Sequence, residues 1–172
     1  MVAHTLVVGG TGMLSGLCEA LAGDGGRLSL LSRRASGPDG FACDYHDAAA
    51  FTAALQAAVA RSGPIDLAVA WFHTLKIEAP RLLAKEVQGR LFQVLGSAVA
   101  DPAHPSRLET ARKVTKGLPR CKLRQVVLGF KVEPEGSRWL TNDEISGGVL
   151  EAVRADHALT VIGQTQPWSA KP

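Results

Sequence analysis

The run Val7-Val8-Gly9-Gly10-Thr11-Gly12-Met13-Leu14-Ser15-Gly16 constrains this chain more than any other segment. It follows a short apolar stretch, Thr5–Gly9, and opens a segment, Met13–Ala22, with helical character. A strand that ends in a tight turn and re-enters as a helix aims free N–H groups and the positive end of the helix dipole at one point. Gly9 permits the turn, and Gly12 lets the backbone approach a pyrophosphate with no Cβ in the way. The expected phosphate contacts are therefore Gly9, Gly10, Thr11, Gly12, Met13 and Leu14. The competing reading is a glycine-rich connection with no ligand. A lone glycine pattern is weak evidence, and its context decides its worth.

That context is strand and helix in alternation. Strands are expected at Thr5–Gly9, Leu28–Ser32, Phe41–Cys43, Ile65–Phe72, Leu91–Gly96, Arg124–Val132 and Leu159–Gly163. Helices are expected near Met13–Ala22, Asp47–Arg61, Pro80–Gln88 and Asn142–Arg154. Asp47 can cap the second helix and Gly63-Pro64 stops it, while Thr141 and Glu144 match a capping box for the last. Most strand runs are apolar at consecutive positions, as in strands covered on both faces. The expectation is an α/β chain, doubly wound, with a mainly parallel sheet of about seven strands in three layers. The proline-bearing stretch from Ala98 to Lys122 reads as a loop with one short helix.

Composition narrows the partners. The 172 residues suit a single domain spanning 1–172. A net charge of +3 is too small to mark a nucleic-acid surface, though it leaves room for a local phosphate site. No apolar run approaches the ~20 residues of a membrane span, and the start Met1-Val2-Ala3-His4-Thr5 lacks a basic leader. Cys18, Cys43 and Cys121 form neither a close pair nor a metal-ligand spacing, so reduced thiols, no metal site and a cytoplasmic location are expected.

The turn Gly9-Gly10-Thr11-Gly12-Met13-Leu14-Ser15 resembles the Gly-x-x-Gly-x-x-Gly turn of atypical and extended members of the short-chain dehydrogenase/reductase family, with Ser15 and then Gly16 in place of the third glycine. The resemblance implies a Rossmann-like fold and a bound dinucleotide. About 20 residues past the turn, a carboxylate would hold the ribose 2′-hydroxyl of NAD. Here stand Ser32-Arg33-Arg34, whose hydroxyl and guanidinium groups suit the 2′-phosphate of NADP, so NADP(H) is favoured over NAD(H). The alternative for these arginines is an exposed basic loop. Following the family, Asp44 is expected to accept from the adenine amino group with Tyr45 packed beside it; Asp44 or Asp47 as a plain helix cap is the alternative. Ala70 and Trp71, where relatives carry Asn-Asn-Ala-Gly, are expected beside the adenosine ribose.

The family's usual catalytic set is Ser with Tyr-x-x-x-Lys. This chain has one tyrosine, Tyr45, at the adenine end, with Ala49 four residues on. Ser97 matches the position of the family's serine, and His73 follows the fourth strand at the sheet edge where ligands bind, so these two are the candidates for substrate orientation and proton transfer. A turn residue and a structural histidine are their alternatives. Little chain separates Val132 from the helix after Thr141, too little for a substantial substrate lobe. The nicotinamide end should then be open unless a second copy in a homo-oligomer covers it. Trp139 and the Pro167-Trp168 tail are expected to pack in the core, with cover over the sheet's edge as the alternative. The implied function is an NADP(H)-dependent oxidoreductase on a small carbonyl or related substrate. The alternative is a non-catalytic NADP(H)-binding sensor or regulator.

Overall fold

The computed structural model describes residues 3–74 and 76–172, so Met1 and Val2 of the leader reading lie outside it. In chain order the elements are β1 (His4–Val8), α1 (Ser15–Gly23), β2 (Arg27–Ser32), β3 (Gly40–Ala42), α2 (Ala48–Ser62), β4 (Ile65–Trp71), α3 (Ala79–Glu86) and β5 (Val87–Leu95). After them come α4 (Arg107–Arg112), β6 (Lys122–Leu128), β7 (Phe130–Glu133), β8 (Gly136–Trp139), α5 (Asn142–Ala155) and β9 (Leu159–Ile162). Seven strands form one parallel sheet in the order β3-β2-β1-β4-β5-β6-β9, as the consecutive apolar runs required. Leu6 and Val8 of β1 join the core under α2 and α3, whereas Val7 joins the core under α1 and α5. That two-residue alternation across a sheet covered on both faces makes every position of a central strand apolar.

Strand order reverses at β1, which pairs with β2 on one side and β4 on the other. Helix α1 moves the chain toward the β3 edge on one face, while α2 and α3 move it toward the β9 edge on the opposite face. These three crossovers therefore share one hand. Helix α5 also moves toward the β9 edge but lies on the α1 face, so the β6-to-β9 connection has the opposite hand. Right-handed crossovers prevail in about 98% of cases, so this departure is uncommon. The β7–β8 hairpin is inserted in this connection, between β6 and α5.

The hairpin also corrects the expected strand Arg124–Val132, which is two strands. The break falls at Gly129, where a Cβ would lie 2.2 Å from the Gln164 carbonyl oxygen. Phe130 and Gln164 then exchange backbone hydrogen bonds of 2.9 Å. The apolar pattern ran through the glycine without marking it. β5 likewise starts earlier than Leu91, because α3 ends at Glu86 and runs straight into Val87. The stretch after β5 holds the expected short helix, α4, flanked by 3-10 turns at Ser97–Ala100 and Lys113–Thr115. Trp139 is no core residue: it is 47% exposed, with the Lys171 ammonium lying between its ring and that of Trp168. A hairpin strand outside the main sheet has no layer above it to bury such a ring.

Both expected caps form. Asp47 accepts from the Ala49 and Ala50 amides at 3.0 Å, and the Thr141–Glu144 capping box is complete. Glu144 does more than cap. Its carboxylate also accepts from Arg138 at 2.9 and 3.1 Å and from Lys131, which ties both strands of the hairpin to α5. The Arg138 guanidinium first, then Lys131 and the Thr141 amide, hold the Glu144 carboxyl well below the usual carboxylate range. A carboxyl lowered by folding stabilises the fold above its unfolded value of about 4.3 and loses that contribution as pH falls through the folded value. Glu144→Gln keeps an acceptor for the capping box and removes the charge. Thermal unfolding at pH 7 should show a lower Tm for this variant. Its Tm should also fall less steeply than the wild type's between about pH 5 and pH 2, and parallel acid limbs would show that the charge contributes nothing.

Candidate functional site

Where the strand order reverses, the carboxyl ends of β1, β2 and β4 leave a cavity of about 310 Å³. It is lined by Gly9, Thr11, Gly12, Met13, Ser32, Arg33, Arg34, Tyr45, Trp71 and His73. Crevices outside the carboxyl ends of parallel strands at such a reversal are the general ligand sites of open α/β sheets. Helix α1 starts beside this one with no side-chain cap, in contrast to α2 and α5, and with no acid in its first turn. The Ser15 amide donates to the Gly12 carbonyl at 3.0 Å, and the amides after it in the first turn are left for a ligand or water.

The glycines divide the work of the turn. Gly9 has φ +85°, in the left-handed region, and a Cβ there would sit 3.4 Å from the Trp71 carbonyl oxygen. At Gly10 a Cβ would meet the Cys18 Sγ at 2.6 Å, so this buried glycine serves the close approach of the turn to α1. At Gly12 a Cβ would meet nothing within 4 Å. Gly16 serves helix–helix contact: a Cβ would lie 3.2 Å from that of Ser146, whose hydroxyl donates to the Met13 carbonyl at 2.8 Å. Gly16 thus lets α1 and α5 approach closely.

Across the turn, the Thr11 hydroxyl donates to the Ser32 hydroxyl at 3.2 Å. Arg33 and Arg34 are exposed and form no salt bridge among the described residues. Asp44 is exposed beside the cavity, and one carboxylate oxygen accepts from both the backbone and the ring of His46. Those bonds, backbone first, lower its pKa, with Arg33 adding a smaller push. Asp47, not Asp44, caps α2. The Tyr45 ring meets Phe72 edge-on at 5.2 Å, and its hydroxyl accepts from the His73 amide at 3.4 Å. The Trp71 indole stands against Gly9 and Gly96 and meets the His73 ring edge-on at 5.5 Å.

Most of the residues expected at a nucleotide site thus share one cavity, with His73 among them. Gly10, Leu14 and Ala70 are buried behind it in the core. Ser97 is buried one residue past Gly96 and is not part of the cavity wall. A second, larger cavity lies on the other side of His73, bounded by Thr74, Lys76, Arg81, Gln93, Arg107 and Lys113 among others. Its residues come from β5, the segment before α3, α3, α4 and the two 3-10 turns that flank α4, so no local sequence pattern announces it.

No protein-family model matches the sequence, and no curated protein does. Solved structures do match in shape. A short-chain dehydrogenase/reductase from Serratia marcescens is 19% identical, with 94% of this chain and 95% of that chain covered and a TM-score of 0.64. A metagenomic short-chain oxidoreductase in complex with NADP is 17% identical over 94% of this chain and 96% of that chain, with a TM-score of 0.62. The 3-alpha-hydroxysteroid dehydrogenase of a Pseudomonas species, complexed with NADH, is 17% identical over 94% and 95%, with a TM-score of 0.66. This chain therefore has the Rossmann-like fold of the short-chain dehydrogenases/reductases.

The division among the glycines is testable without a ligand. Gly10→Ala should lower stability by about 1–3 kcal/mol, the usual cost of an extra methyl in a filled core. Gly12→Val, pointing into open space, should unfold within about 0.5–1 kcal/mol of the wild type in urea. Equal losses at the two positions would show that both are packing glycines.

Proposed function

We propose that this chain is an NADP(H)-binding oxidoreductase of the short-chain dehydrogenase/reductase type, one domain without a separate substrate lobe, acting on a small carbonyl or related compound. The observation that carries the proposal is the gathering of the glycine turn, the uncapped start of α1 and two unpaired arginines around one cavity at the strand-order reversal. The residues fit a dinucleotide. Gly9, Thr11, Gly12 and Met13 would hold the pyrophosphate, Ser32, Arg33 and Arg34 the 2′-phosphate, Tyr45 and Asp44 the adenine, and Trp71 the ribose. When bound, the cofactor supplies a hydride. The protein's share is then to orient the substrate and deliver a proton.

With no Tyr-x-x-x-Lys in the chain, His73 is the proton donor in this reading. It is exposed, it lines the cavity, and its amide is tied to the Tyr45 hydroxyl. Ser97 is assigned to orient the substrate on its place after the fifth strand, where the resembled family carries its serine; it is buried and lines neither cavity. Three free, buried thiols accord with a reducing cytoplasm, and none of the described helices is long and apolar enough to cross a membrane. A second reading, a non-catalytic NADP(H) sensor, is favoured by one observation: the only tyrosine hydroxyl is engaged at the adenine end.

Calorimetric titration decides the cofactor. NADPH should bind more tightly than NADH. Replacing Arg33 and Arg34 together by alanine should weaken NADPH by about 1.5–3 kcal/mol per lost charge-assisted hydrogen bond and leave NADH nearly unchanged. Gly12→Val should abolish binding of both. Equal weakening of both cofactors by the arginine variant would remove the 2′-phosphate assignment.

For catalysis, His73→Ala should reduce turnover about 10²–10⁴-fold with little change in NADPH affinity. Turnover that survives both His73→Ala and Ser97→Ala would overturn the proton-donor assignment. NADPH binding with no turnover of any aldehyde or ketone in a broad panel would favour the sensor.

A further inference from the structure

The second cavity, about 640 Å³, lies between the start of α3, β5 and residues 98–114. That volume falls in the range of small-molecule sites. Four cations line it, Lys76, Arg81, Arg107 and Lys113, and no carboxylate does. The chain as a whole is nearly balanced, 19 cations to 16 acids, so this wall is a local enrichment. Between the cations the surface is apolar, with Ile77, Val99 and Val114.

The cations are held apart by design of the backbone around them. Arg81 donates to the Val114 carbonyl at 2.7 Å and Arg107 to the Ala98 carbonyl at 3.1 Å, which leaves each guanidinium with further donors. Lys76 and Lys113 form no salt bridge among the described residues. Among the described residues, the acid that pairs with a cation of this wall is Asp101. It reaches Arg107 only at 3.5 Å and is already engaged by the Ala103 amide and His104.

The wall is also rigid. The buried Gln93 amide donates to the Ala111 carbonyl at 3.3 Å, and the buried Gln125 amide donates to Gln93 at 3.1 Å and to the Leu108 carbonyl at 3.3 Å. Arg112 completes the chain by donating to the Gln125 oxygen at 2.8 Å. Buried polar networks with every partner satisfied fix one geometry. Here the network seats α4, which carries Arg107 and Thr110, over the cavity. Like charges held around an apolar hollow repel one another until a counter-charge enters.

We propose that this second cavity binds a small organic anion, a carboxylate or phosphate carried on an apolar body. Resting on the oxidoreductase reading above, we assign that anion as the substrate class. Three residues make the connection: His73 faces the first cavity, and Thr74 and Lys76 face the second. The cations bind and orient the anionic group, and the apolar wall selects the body.

The test uses the full chain and three probes of one body: octanoate, octyl phosphate and neutral octanamide, titrated by NMR. At least one acid should shift the Gln93 side-chain amide and the Ala111 amide, and bind at least tenfold more tightly than octanamide. The ratio of the two acids tells carboxylate from phosphate. The exposed pair Lys76→Glu and Lys113→Glu, combined, should weaken that acid at least tenfold and leave octanamide and NADPH within twofold. Octanamide matching the acids, no effect of charge reversal, or no saturation by any probe overturns the anion site. NADPH titrations on the same samples keep the two readings apart. NADPH binding without anion binding removes this inference alone. Anion binding without NADPH binding keeps the anion site and removes its assignment as substrate.

Discussion

Strand β1 is hydrogen-bonded in parallel to β2 on one side and to β4 on the other, and its side chains are buried on both faces of the sheet. A strand so enclosed releases its chain only at its carboxyl end. The turn must form there between the ends of two neighbours, and Gly9 leaves with φ +85° against the Trp71 carbonyl. The crevice, the start of α1 and the nearness of Arg33 and Arg34 all follow from that pairing. Had β4 paired elsewhere, Trp71 and His73 would not face the glycine turn.

The crossover of reversed hand keeps this edge open. Helix α5 packs beside α1 through Gly16 and Ser146, on the face away from α3 and α4. The chain reaches that face through the β7–β8 hairpin, and Glu144 fastens the hairpin to α5 by Arg138 and Lys131. An exposed ion-pair network of this kind contributes modestly to stability. Its larger effect is geometric, since it fixes where the chain crosses the sheet edge. The face carrying α3 and α4 is left with a hollow instead of a lid.

The two cavities differ in how their chemistry is assembled. In the first, the polar groups are backbone N–H groups and side chains from the ends of four neighbouring strands, set by the register of the sheet. In the second, the cations stand on connecting segments and short helices, and a buried glutamine pair does the positioning. Both are electropositive, as suits ligands that carry phosphate or carboxylate. The Trp71–His73 wall runs between them, with the indole resting on Gly9 and Gly96.

Local sequence determined the seven parallel strands, the caps at Asp47 and Thr141, and the glycine turn, because each rests on interactions between residues close in the chain or on two-faced burial that leaves an apolar run. It also placed most of the first cavity's wall, since residues at strand ends fall together once strand order is known. Tertiary structure decided the rest. Gly129 breaks the sixth strand because Gln164, 35 residues on, needs the room its side chain would take, and no local pattern shows that. Gly10 and Gly12 look alike in sequence, but only the fold sets one against Cys18 and the other toward open space. Trp139 reads as core from its chemistry, yet it lies on a hairpin that no layer covers. The second cavity is invisible in the sequence for the same reason: its four cations span 38 positions of chain, and only the packing of α3 and α4 against β5 turns them into one wall.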